Sequence, residues 1–209
     1  MIIKKLSVLG LYLATATGLL LASCTKNDET TIVPIGTEYY IDDILSAIPD
    51  TLHNEFLAAF GNVPSGAIPP KIDGSYVVDP KQRVGSNLDG WPINTIEPNV
   101  YLRFEKQHNG IVYMDLNETT ETVTDTVFVC GDGNNFAVYF VESKDYEIGW
   151  MKRGVIMKGK VTGEGLSEFR YATIVMETED HSGGQFGLYT PGTYFIYKDG
   201  DGMAENLDW

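Results

Sequence analysis

Histidine, cysteine and basic side chains are all in short supply in this chain, and each shortage removes a class of function. The 209 residues include two cysteines, three histidines, and 15 lysines and arginines against 29 aspartates and glutamates. Such an acidic surface cannot track phosphates, so nucleic acid is excluded as a partner. It is also poorly suited to lying flat on anionic lipid. His53, His108 and His181 are isolated, one on an expected helix and two in turns, and no pair has the spacing of a zinc site. No G-x-S-x-G elbow occurs. Cys130, beside Gly131, reads as a buried structural thiol rather than a nucleophile. The sequence signals no metal, no cofactor and no catalytic centre, and the expectation is a protein that is not an enzyme.

Long apolar runs are absent too, with one exception at the N-terminus. Lys4 and Lys5 precede an uncharged stretch, Leu6 to Leu21, which is followed by Ala22, Ser23 and Cys24. That order, positive then apolar then small, is the order of a secretory signal. As a transmembrane helix the stretch falls short of the ~20 apolar residues a bilayer requires, and Gly10, Thr15, Thr17 and Gly18 dilute it further. Leu21-Ala22-Ser23-Cys24 resembles the lipobox of bacterial lipoproteins, which implies cleavage before Cys24 and a diacylglycerol on its sulfur. The next residues, Thr25-Lys26-Asn27-Asp28-Glu29, are similar to the signal that sends Bacteroidetes-type lipoproteins to the cell surface. The resemblance implies an outer-membrane location, with acyl chains in the membrane and the folded part in water.

Loss of residues 1–24 leaves 13 basic against 29 acidic side chains, a net charge of −16. It also leaves Cys130 as the lone thiol beside an acylated Cys24, so no intramolecular disulfide is expected. The fold then rests on its apolar core, for which about 170 residues suffice.

Residues 25–37 contain few large apolar side chains and read as a tether. Residues 38–209 read as a single domain, in which 38–66 form a helical preface and 67–209 a β-barrel. In the preface Ile41, Ile44, Leu45 and Ile48, then Leu52, Phe56, Leu57 and Phe60, recur at helical spacing. Pro49 divides them into two short helices and Gly61 ends the second. Eight strand-length segments follow: Asp73 to Pro80, Val100 to Gln107, Ile111 to Leu116, Glu121 to Cys130, Phe136 to Ser143, Met151 to Thr162, Leu166 to Glu179 and Phe186 to Lys198. Asn109-Gly110 is the strongest of several tight-turn signals between them. Val100, Leu102 and Phe104 alternate with Tyr101, Arg103 and Glu105, and Met151, Val155 and Met157 stand against Lys152, Lys158 and Lys160. One dry face and one wet face are expected.

A meander of eight such strands buries its dry face by closing into an antiparallel up-and-down barrel. A two-sheet β-sandwich is the alternative. "KIDGSYVV", Lys71 to Val78, is similar to the glycine-x-tryptophan motif that opens the first strand of lipocalins, with Tyr76 at the tryptophan position. The mature chain also resembles uncharacterised lipoproteins of gut-type Bacteroidetes, in which a helical "IPD" preface precedes an "I-x-G-x-Y" strand. The resemblance implies a lipocalin-like (calycin) barrel and assigns no ligand.

The expected function is a binding module holding a small apolar or amphipathic ligand inside the barrel. Leu102, Phe104, Val127, Val129, Val155 and Met157 are the candidate lining. The alternative is a non-catalytic subunit that joins an envelope or glycan-uptake assembly through its loops. Trp91 is the candidate contact there, since an exposed tryptophan before Pro92 in a long loop can stack on a sugar face or anchor a protein partner. More often such a ring folds back onto the core, as is expected of Trp150 and Trp209. Carboxylate pairs drawn from Asp115, Asp125, Glu142 and Glu177 are read as solvated strand faces. Asp199 and Asp201 in "KDGDGMAEN" are read as a turn rather than a calcium loop, because the further acidic ligands are missing.

Overall fold

The computed structural model describes residues 41–118, 121–146, 149–180 and 189–207. Cys24, the 25–37 tether, His181, Phe186 and Trp209 lie outside the described residues, and of Asp125 only the backbone is described.

Two helices open the described chain, α1 (Ile41–Ser46) and α2 (Asp50–Phe60). Pro49 stands between them, and Gly61, at φ 81°, donates its N–H to Leu57 O and ends α2. Only a glycine takes that backbone conformation without strain. The strands are β1 (Gly74–Val78), β2 (Lys81–Ser86), β3 (Ile96–Glu97), β4 (Val100–His108), β5 (Ile111–Glu118), β6 (Glu121–Asp132), β7 (Asn135–Tyr146), β8 (Gly149–Val161), β9 (Gly165–Asp180), β10 (Tyr194–Asp199) and β11 (Met203–Asn206).

All strand pairs are antiparallel, and β1-β4-β5-β6-β7-β8-β9-β11 returns to β1. The sheet therefore closes on itself rather than dividing into a two-sheet sandwich. β1 and β2 are two halves of one path broken at Asp79 and Pro80, and β10 and β11 are two halves of another broken at 200–202. These halves pair with each other, β1 with β11 and β2 with β10, so the barrel has eight staves. Closure leaves the barrel with no open edge along the ring. Asp199 ties the two breaks together, its carboxylate accepting the N–H groups of Asp79 (2.9 Å), Asp201 (3.2 Å), Gly202 (3.1 Å) and Met203 (3.2 Å). Burial pushes its carboxyl up to about 6, aided by the neighbouring Asp201.

Two expected boundaries are corrected here. The first strand does not stop at Pro80 but resumes as β2, which "KQRVGS" conceals because its charged residues face inward. The last strand is not one segment ending at Lys198; its described part starts at Tyr194, after a turn at Pro191 and Gly192, and it resumes as β11.

The barrel interior holds Ile72, Tyr76, Leu102, Phe104, Met114, Val129, Phe136, Val138, Met157 and Phe169 in one close-packed cluster. A second cluster lies outside the barrel, where Ile44, Phe56 and Phe60 of the helices and Ile48 between them cover Cys130, Ala137, Tyr139, Ile156, Ala172, Ile174, Tyr194 and Ile196. The preface thus lies on the outer wall over β6 to β10, not across an end. Both faces of those strands are dry, which is why "FAVYF" (136–140) and "VIM" (155–157) are unbroken apolar runs. The wet face expected for all strands is found on β4, where Tyr101 and Arg103 are exposed. Gly154 is where α1 approaches closest: a Cβ there would lie 2.3 Å from Ile44 Cγ2.

Candidate functional site

The described core residues inside the barrel pack closely against one another, and a cavity is described at one end. A cavity of about 350 Å³ is lined there by Trp91, Glu118, Met151, Arg153, Tyr171, Thr173, Val175, Tyr189, Phe195 and Tyr197. Each reaches the rim or floor from a strand end or loop: Glu118 closes β5, Met151 and Arg153 open β8, Tyr171 to Val175 belong to β9, and Phe195 and Tyr197 to β10. Trp91 comes from the loop between β2 and β3.

Aromatic rings form two groups. Tyr171 and Tyr197 stack at 4.8 Å and 25°, while Trp91 meets Phe195 at 5.1 Å and Tyr189 at 6.5 Å in edge-on geometry. Offset stacks and edge contacts are the arrangements that the ring quadrupole favours.

Two buried cations stand behind these rings. Lys81 and Arg83 alternate with Gln82 and face inward on β2, at 2% and 5% exposure. The Lys81 ammonium pairs with Glu97 at 3.3 Å and with Glu118, donates to Tyr171 Oη at 3.2 Å and lies 4.6 Å from the Tyr197 ring. Arg83 pairs with Glu97, and its guanidinium lies 4.7 Å over Trp91. Arg83 Nε is buried without a hydrogen-bond partner, and the π-face of the indole is its nearest compensation. Across the cavity, Arg153 pairs with Glu142 at 2.7 Å.

Burial sets the protonation chemistry. It lowers the Lys81 ammonium below its ordinary range, and Glu97 opposes the shift. It raises the Tyr171 phenol well above its usual value, with Tyr197 and Glu97 adding to the rise. The Tyr197 phenol is pushed up to about 12, mainly by burial. At neutral pH the cavity therefore offers neutral phenols, beside the side chains of Glu118 and Arg153, which are held by ion pairs before any ligand arrives.

Leu102, Phe104, Val127, Val129, Val155 and Met157 are brought together inside the barrel, each 3% exposed or less. They form its packed interior, and none is among the residues lining the cavity. Trp91 is half-buried in the cavity wall. Asp115 pairs with Arg103 and Glu177 with Lys152 on strand faces, and Glu142 pairs with a cavity residue, Arg153. His53 sits on α2, 3.0 Å from Leu45 O, and His108 is exposed beside the β4–β5 turn. Among the described residues no three histidine, cysteine or acidic side chains converge as metal ligands.

Cys130 corrects an expectation. It is buried on β6 and disulfide-bonded, not a lone thiol, and the one other cysteine of the chain is Cys24. The sequence argument excluded a disulfide only because it assigned the Cys24 sulfur to a lipid.

Lys81, Arg83, Glu97 and Glu118 escaped sequence reasoning. The signal was available in "KQRVGS", where lysine and arginine occupy alternate positions of a short strand, but it reads as a loop until the ring closes around it. Comparisons with protein families, with curated proteins and with solved structures find no match to this chain.

Proposed function

We propose that this protein is a lipid-anchored envelope protein of the outer membrane, displayed on the cell surface, that holds a small amphipathic ligand at one end of its barrel. The observation that carries the binding reading is the cavity of about 350 Å³, walled by five aromatic rings and fixed in shape by buried ion pairs. Sites for small molecules have that character: concave, largely apolar, with a few polar groups held in place, and ~300–1,000 Å³ in volume. A volume at the lower end of that range suits one or two rings and excludes enclosure of a haem. The second reading, an interaction subunit without ligand, is favoured by Ile93, in the loop that carries Trp91, and Ile96, which opens β3, each 58% exposed.

A thermal-shift screen of small amphipathic compounds against the full chain separates the two. A ligand present at a hundred times its dissociation constant adds ~2.7 kcal/mol to the folded state. For a domain of this size that amounts to a rise in Tm of about 5–10 °C. The shift, read against the variant's own lower unliganded Tm, should disappear in Trp91→Ala, where Phe195, Tyr189 and Arg83 lose the indole. A flat screen would leave the interaction subunit as the better reading.

The anchor is supported by Leu21-Ala22-Ser23-Cys24 after the apolar run. Acylation uses the Cys24 sulfur, and a sulfur in a thioether forms no disulfide. Metabolic labelling with a fatty-acid analogue is expected to mark the parent and not Cys24→Ala. Equal labelling of the variant would refute the anchor. Protease treatment of intact cells should remove the protein if it is displayed outside.

A further inference from the structure

The ions around the cavity balance, although the chain does not. Among the described residues Lys81, Arg83 and Arg153 stand against Glu97, Glu118 and Glu142, and each has its counter-ion within that set. The whole chain carries 15 cationic against 29 anionic side chains. A ligand with a net charge would enter this cavity and find every opposite charge already engaged, and desolvating an ion without a counter-ion is costly. A pure hydrocarbon fails for the complementary reason. Glu118 and Arg153 lie in the cavity wall, and covering them with apolar surface strips water from them without replacing its hydrogen bonds.

An uncharged ring with a C–H face and a hydroxylated rim meets both conditions. The electron-rich faces of aromatic rings attract polarised C–H groups, and Trp91, Tyr189 and Phe195 supply such surface. Glu118 accepts a hydrogen bond from a hydroxyl, and Arg153 donates one to a hydroxyl oxygen. We infer that the cavity takes a neutral sugar, one or two rings in size, with Trp91 as its stacking surface and Glu118 and Arg153 as its polar contacts. This rests on the ligand-binding reading above and narrows it to one chemical class.

The test is titration of the full chain, followed by tryptophan fluorescence and calorimetry. The panel contains the common hexoses and pentoses, their α- and β-linked disaccharides, glucuronic acid, glucosamine and oleate. The expected result is a neutral sugar binding with a dissociation constant of about 1 mM or tighter. The matching acid and amine should bind about tenfold more weakly, and Trp91→Ala, titrated well below its own lowered Tm, should weaken the neutral sugar by about tenfold or more. If glucuronic acid, glucosamine or oleate binds more tightly than every neutral sugar, the charge-balance inference is overturned while the cavity remains a ligand site. If nothing in the panel binds but the amphipathic screen yields a ligand, the sugar assignment is wrong. If neither yields a ligand, the binding reading fails with it.

Discussion

Replacing Lys81 by methionine is expected to cost about 3 kcal/mol of folding free energy, the lower end of the loss seen when one partner of a buried ion pair is removed. The stem is retained, so packing changes little. What is lost is the ammonium that lies between Glu97 and Glu118, donates to Tyr171 at 3.2 Å and rests on the Tyr197 ring at 4.6 Å. Glu118 then loses its ammonium partner, while Glu97 keeps its pair with Arg83. The figure sits at the lower end because the Glu97 and Glu118 side chains are 17% and 30% exposed and recover part of their hydration. Urea unfolding measures it directly, and the double variant Lys81→Met/Glu118→Gln should recover part of the loss, since the removed pair shares one interaction. A loss below about 1 kcal/mol would mean that the network is solvated and does not set the shape of the cavity.

The second large effect is alkaline unfolding. Tyr194 and Tyr197 are pushed up to about 12, Tyr171 is raised well above its usual value by burial, and Tyr76 is raised by burial with Asp73 adding. A phenol whose folded value lies above its unfolded value of 10.0 stabilises the fold fully below pH 10, and that stabilisation is lost as pH climbs from about 10 to 12. For Tyr197 the difference corresponds to roughly 2–3 kcal/mol. Tyr171 and Tyr194 act in the same direction, so the barrel is expected to unfold cooperatively in that window. Phenolate absorbance from the buried tyrosines should appear together with loss of the β-sheet signal in circular dichroism. Tyr197→Phe should move the midpoint to higher pH. Complete phenolate formation near pH 10 with the sheet intact would contradict the burial of these rings.

Parts of this molecule are plain from short stretches of chain. Ile41 and Ile44, then Phe56 and Phe60, lie on one side of two helices because their spacing follows the helical turn, and they become buried together with Ile48 in the link between the helices. Asn109 and Gly110 reverse the chain with φ of 50° and 77°, the left-handed pair that a two-residue hairpin needs. β4 alternates as its residues do. Where the helices dock is less plain, although the doubly apolar runs 136–140 and 155–157 mark the strands that are covered on both sides.

By itself, then, the sequence determined the kinds of element, the turns that join them and the apolar side that must close on itself. It did so because helix and strand periodicity and turn chemistry are properties of residues within a few positions of one another. Only the tertiary structure decided that the described core residues pack closely inside the barrel and that a cavity lies at one end. It also decided that Lys81 meets Glu118, 37 positions away, and Tyr171, 90 positions away. Those contacts depend on the register with which β2 meets β10 and β5 lies across the barrel, and a register emerges only when all the staves pair at once. A lysine and an arginine facing inward on β2 look misplaced as sequence. Ring closure brings Glu97 and Glu118 to them, and their charges become tolerable because the counter-ions arrive from distant strands.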